Sequence, residues 1–136
     1  VHLLADAGFE NYNTTITISK KMVDEKKDLV QRFVTASLEG WAEYMKGGPG
    51  IAAANARILK DNPDIDQEKL DYALKAMSDN GIVLSGDALT LGIGAMTDAR
   101  WERFYNSMTQ AGVLPAGVDF RKAYSLEFVN KGVGKA

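Results

Sequence analysis

The apolar residues of this chain change their spacing at Lys20. Before it, Thr14–Ser19 (TTITIS) alternates threonine with isoleucine, the two-residue period of a strand. After it, Leu29, Val30, Phe33, Val34, Leu38, Trp41 and Met45 recur at intervals of three and four, so they line one face of a helix from about Asp28 to Lys46. A stripe that long has to be buried against something, so a helical layer must dominate the fold.

The flanking signals agree. Asp28 with Gln31 three residues on has the form of a capping box, and a short helical turn over Lys20–Glu25 precedes it. Gly47-Gly48-Pro49-Gly50 stops the helix, because proline breaks the hydrogen-bond ladder. Alanine-rich Ile51–Lys60 reads as a second helix and Asp66–Asp79 as a third, with Leu70, Ala73, Leu74 and Met77 inward and Asn80-Gly81 as its end. Thr97 caps a fourth, where Met96 and Trp101 hold the positions of a hydrophobic staple and Trp101, Phe104, Tyr105 and Met108 make the inner stripe. Asp119 caps a short helix through Tyr124, Leu126–Val129 adds an apolar patch, and a glycine- and lysine-rich tail is expected to be mobile. At the other end, Val1–Ala7 reads as a short strand, joined to the Thr14–Ser19 strand by the polar and aromatic connector Gly8–Asn13.

Composition narrows what such a unit can do. With 46% hydrophobic and 25% charged residues over 136 positions, the chain has enough apolar surface for one core and is not disordered. Its net charge of −2 draws it to neither nucleic acid nor an anionic membrane. No apolar run approaches the ~20 residues of a membrane helix. The absence of cysteine excludes a disulfide framework, thiolate metal sites and a cysteine nucleophile.

Little catalytic chemistry remains. The single histidine, His2, stands without a second ligand or a nucleophile and reads as an incidental residue. The acidic run Asp61–Glu68 fails the calcium-loop pattern, having Asp66 at the sixth position and Tyr72 at the twelfth; it reads as a solvated loop that caps the next helix. Gly92-Ile93-Gly94 lacks the third glycine of a dinucleotide loop, since Thr97 stands there, so it is read as a place of close backbone packing ahead of a small anion site. The aromatics Trp41, Tyr44, Trp101, Phe104 and Tyr105 lie at core spacing, whereas Tyr12 sits in a polar loop between Asn11 and Asn13. Asn13-Thr14-Thr15 matches a glycosylation acceptor formally. No enzyme mechanism, metal or cofactor emerges from these residues.

Three segments carry a resemblance: TTITISKKMVDEKKDLVQRFVTASLEGWAEYM, GIVLSGDALTLGIGAMTDARWERFYNSMTQAGVL and DFRKAYSLEFVN. In order and spacing they resemble the C-terminal portion of a periplasmic solute-binding protein of the nitrate/sulfonate/taurine and thiamine-pyrimidine-precursor type, the ligand-binding component of an ABC importer. Lys27 departs from the pattern, standing where the family often has proline. The resemblance implies an α+β, mainly helical chain that forms the C-terminal segment of a two-lobed, type II periplasmic-binding-protein α/β fold, closing on its solute like a flytrap. Residues 1–136 then form one unit and part of a larger protein, with 1–19 a strand-hinge-strand crossover and 20–136 a helical region. An excess of helix over strand, and a start at Val1 where methionine would stand, fit that expectation.

By the same resemblance the protein is not an enzyme, uses no cofactor, and works in the periplasm. Its partners are a small solute (an anion, a sulfonate, a pyrimidine or an aromatic acid) and the transporter's permease; nucleic acid is not among them. The hinge loop residues Glu10, Asn11, Tyr12 and Asn13 are the first candidates for ligand contact, with Gly86 and Asp87 second. Strands left with open edges would favour a homo-oligomer or swapped dimer. Two other readings stand beside this one: a pyrimidine-precursor synthase of the same fold, which its family builds around histidines and cysteines, and a stand-alone helical interaction module.

Overall fold

A computed structural model describes residues 2–135. Its regular structure consists of helices: α1 (Lys20–Glu25), α2 (Lys27–Met45), α3 (Ala52–Asp61), α4 (Gln67–Asp79), the single turn α5 (Ala88–Leu91) and α6 (Asp98–Gln110), with 3-10 turns at Leu4–Ala7, Gly48–Ile51 and Phe120–Ala123. No strand forms among the described residues, which corrects both expected strands.

In the first of these, Leu4–Ala7 winds into a 3-10 turn that the Gly8 N–H closes on the Ala5 carbonyl at 3.0 Å. Alanine and aspartate there favour a turn over a pleated surface. Val1 of that segment lies outside the described residues. Thr14–Ser19 keeps its alternating pattern but belongs to no ladder, and Ile16 is 45% exposed. An extended segment becomes a strand only when a neighbour answers its N–H and C=O groups, and with residues 4–7 helical no described segment does so.

The helices follow the spacing more closely. Ser19 caps α1 by accepting a bond from the Met22 N–H. α2 begins at Lys27, one residue early, which turns the expected capping box into other contacts. Asp28 lies inside the first turn and pairs with Arg32 at 2.9 Å, while the Gln31 amide donates to the Phe128 carbonyl at 3.1 Å. Of the long stripe, Val30, Val34 and Leu38 are buried, but Leu29, Phe33 and Trp41 stay 46%, 59% and 44% exposed. The buried three are four apart and form one ridge; the others lie a step around the helix, beyond what that ridge covers.

The described chain divides into two compact units. One combines the chain up to Val34 with Met96–Val129, and the other combines Thr35–Ala95 with the segment from Asn130. In the first, Thr97 caps α6 as its pattern requires, accepting from the Arg100 N–H at 3.4 Å. Tyr105 of α6 stacks on Phe120 at 5.0 Å, and its hydroxyl accepts from the Val118 N–H while donating to the Pro115 carbonyl. The expected helix through Tyr124 shortens to the Phe120–Ala123 turn, and Asp119 makes no capping bond to it.

In the second unit, α2 ends at Met45 and Tyr44 donates to the buried Asn55 of α3 at 3.0 Å. Asp66 caps α4 through the Lys69 N–H at 2.8 Å, and that bond holds its carboxyl below the usual carboxylate range. Leu38, Ile51, Leu70, Ala88 and Ile93 form the buried set. The tail is not free, contrary to expectation: the Ile93 N–H donates to the Val133 carbonyl at 2.8 Å and the Gly132 N–H to the Leu91 carbonyl at 2.9 Å. Glycine permits the approach. A Cβ on Gly92, whose φ is +96°, would stand 2.7 Å from the Val133 backbone nitrogen and oxygen, and one on Gly94 would stand 2.4 Å from Leu38. The Gly-Ile-Gly run is therefore used for packing. The last tail residue, Ala136, lies outside the described residues.

Candidate functional site

The connector singled out in the sequence lies along α6, within the first unit. Its residues Glu10, Asn11 and Tyr12 each reach that helix. Glu10 receives two bonds from Arg103 on one oxygen, Oε2, at 2.9 Å from Nε and 2.7 Å from Nη2. Arg100 donates from Nη2 to the Asn11 carbonyl at 2.7 Å and lays its guanidinium over the Tyr12 ring, 4.5 Å from the centroid. The Tyr12 hydroxyl accepts the Thr97 N–H at 2.9 Å, so the phenol sits at the start of α6, where a helix leaves amides unspent. Asn13 is exposed.

Aromatic rings fill in behind these bonds. Tyr12 meets Trp101 at 5.1 Å, Trp101 stacks on Tyr124 at 4.8 Å with the planes 8° apart, and Phe9 meets Phe104 edge to face at 5.9 Å. The spacing of Trp101 and Phe104 on α6 turns both toward the loop, giving the loop an apolar floor. Tyr124 donates its hydroxyl to Asp98 in a short contact. Burial first, then that bond and the Asp98 charge, push the Tyr124 phenol up to about 12. Within this cluster Arg100 Nε and the Trp101 indole N–H are buried and have no hydrogen-bond partner.

Gly86 and Asp87 fall in the other unit. Asp87 precedes α5, and its backbone carbonyl accepts from the N–H groups of Thr90 and Leu91; a Cβ on Gly86 would point into open space. Thus Glu10, Asn11 and Tyr12 come together with α6, Asn13 makes no bond to it, and Gly86 and Asp87 take no part in that cluster. Arg100, Arg103 and Thr97 were not among the sequence candidates. Their signal was two arginines three apart, hence on one side of a helix, in a chain whose connector carries Glu10. Nothing local ties those positions together across some 90 intervening residues.

Among the described residues no group of three or more histidine, cysteine, aspartate or glutamate side chains is placed to hold a metal ion. None of the described helices is long and apolar enough to cross a membrane.

Known proteins give the cluster its context. Residues 1–49, which contain the connector, match the family described as NMT1/THI5 like. The chain is also similar to the riboflavin-binding protein RibY of Chloroflexus aurantiacus, at 26% identity over 132 residues, or 96% of this chain. It spans 36% of that protein's length. No solved structure matches it significantly. Both likenesses support a family of solute-binding proteins, and both suggest a ligand-binding protein.

Proposed function

We propose that this chain is part of the ligand-binding component of an ABC import system, which captures a small solute in the periplasm and hands it to the permease without changing it chemically. The observation that carries this reading is the likeness to a riboflavin-binding protein over 96% of the chain. The match of residues 1–49 to NMT1/THI5 like supports it from the end that holds Glu10, Asn11, Tyr12 and Asn13. Of the four solute classes, the pyrimidine suits it best, and the likeness to a riboflavin-binding protein adds a larger fused ring to the same heteroaromatic kind. Binding of that kind needs flat apolar contact and a few aimed polar groups, and a loop of Tyr12 and Asn11 backed by Trp101 is built from those materials.

The test is a thermal-shift panel on the whole protein that the gene encodes, with riboflavin, a pyrimidine, an aromatic acid, a sulfonate and nitrate. Riboflavin binding is followed in parallel by quenching of flavin fluorescence. A ligand at 100 times its Kd adds about 2.7 kcal/mol of stability, several degrees in Tm, so binding will be plain. Absence of a shift with every compound overturns the reading, and release of a modified product overturns its non-enzymatic part.

A further inference from the structure

A groove of about 250 Å³ runs between the connector and α6, lined by Gly8, Glu10, Arg103, Asn106, Ser107 and Gln110. The last four stand at i, i+3, i+4 and i+7 on one face of α6. That spacing would carry an apolar stripe if the face were packed; here it carries a guanidinium, two amides and a hydroxyl. Among the described residues the side chains of Asn106, Ser107 and Gln110 make no hydrogen bond, and Arg103 leaves Glu10 Oε1 without one. The groove therefore presents a row of unspent groups, most of which donate and accept at once.

The charges decide what kind of ligand fits. Arg103 is already held by Glu10 at 2.7 Å, so the two charges cancel, and an incoming anion would have to displace an internal carboxylate. A cation would meet the arginine. Nor does any aromatic side chain line the groove, so it offers a flat ring nothing to stack on. A run of hydroxyls on a flexible carbon chain matches it instead, because each hydroxyl, like each amide, both gives and takes a hydrogen bond.

We propose that this groove is a subsite for a neutral polyhydroxyl chain, with Asn106 and Gln110 as its specificity-determining residues. The inference rests on the capture of a small solute argued above, and it adds that such a solute carries a hydroxylated arm.

The experiment compares riboflavin with lumichrome, which has the fused ring and no hydroxylated chain, and adds ribitol, which is the chain alone. The whole protein is measured as wild type and as the Asn106→Ala/Gln110→Ala double variant. Both positions are exposed on a helix that alanine favours, and circular dichroism checks that the fold is kept. The expected result is about a tenfold loss of riboflavin affinity in the variant, the scale of two ordinary hydrogen bonds, with lumichrome affinity unchanged. Ribitol should shift the side-chain amide NMR signals of Asn106 and Gln110. Equal loss for both flavins, or no loss for either, overturns the subsite and leaves solute capture standing. Ribitol shifts without any flavin binding support the subsite and remove the fused-ring solute. No response to any of the three overturns both.

Discussion

Each of the two units is held together internally by its own means. Around α6, side chains reach the connector: Arg103 to Glu10, Arg100 to Asn11 and Tyr12, and Trp101 between Tyr12 and Tyr124. Around Gly92–Gly94, backbone meets backbone, and the tail is held by bonds between Ile93 and Val133 and between Gly132 and Leu91. The first arrangement spreads its energy over several contacts, each removable with a partial loss. The second depends on the absence of atoms, and fails when one is added.

Substitutions that exploit this difference should rank in order. The largest effect belongs to Gly92→Ala. The new Cβ would meet the Val133 backbone at 2.7 Å, and backbone cannot rotate away; the positive φ adds strain. A loss of about 3 kcal/mol or more is expected by urea denaturation. If the loss stays below 1 kcal/mol, the tail is not held by close backbone approach and the contrast breaks down.

Next is Arg100→Ala, which removes a charged hydrogen bond to Asn11 and the contact over Tyr12 together, for about 2 kcal/mol. Lysine should restore only part of it, because an ammonium lacks the planar face that covers the ring. Full rescue by Arg100→Lys would show that charge alone holds the connector. Thr97→Ala comes third, at about 1 kcal/mol, the usual value of a helix cap, and should reduce helical ellipticity by less than the loss of the whole of α6.

The smallest effect at neutral pH concerns Tyr124. Its phenol is pushed from 10.0 up to about 12, first by burial and then by Asp98. The raised value means that folding favours the protonated phenol. Its contribution is complete below pH 10 and is lost as pH rises toward and through 12, so stability is flat from this source at pH 7. Absorbance of tyrosinate near 295 nm should show one tyrosine titrating about two units above 10, and Asp98→Asn should bring that midpoint down. A midpoint of 10 for Tyr124 would remove the ring stack behind the connector from the comparison.

Helix positions were legible because the signals that place helices are local. Period, a capping residue and a breaking glycine or proline lie within a few positions of one another, as at Thr97, which caps as its pattern requires, and at the acidic run before α4, whose Asp66 is the capping residue. Which members of a stripe are covered was not legible, since Phe33 and Val34 are equally apolar and only Val34 is buried. The strand readings failed for a related reason. TTITIS has the period of a strand, but a strand is a property of two segments, and the one expected beside it is a helical turn.

At the candidate site the division is similar. Tyr12 stood out as an aromatic group in a polar connector, and Glu10 only through the resemblance that makes that connector a hinge loop. Their partners Arg103, Arg100 and Thr97 did not, since an exposed face of an amphipathic helix is normally just solvated.

The amino-acid sequence by itself determined the helical character of this chain, the caps that start α4 and α6, and the lack of cysteine and of a second histidine for thiolate or imidazole chemistry. Each of these depends on residue type or on neighbours within a turn or two. Only the tertiary structure decided that the connector is held by α6, that the tail packs against Gly92, and that Asn106, Ser107 and Gln110 share a groove with Glu10. Those pairings join residues some 40 to 100 positions apart, and their strength comes from burial and geometry that exist only once the chain has folded.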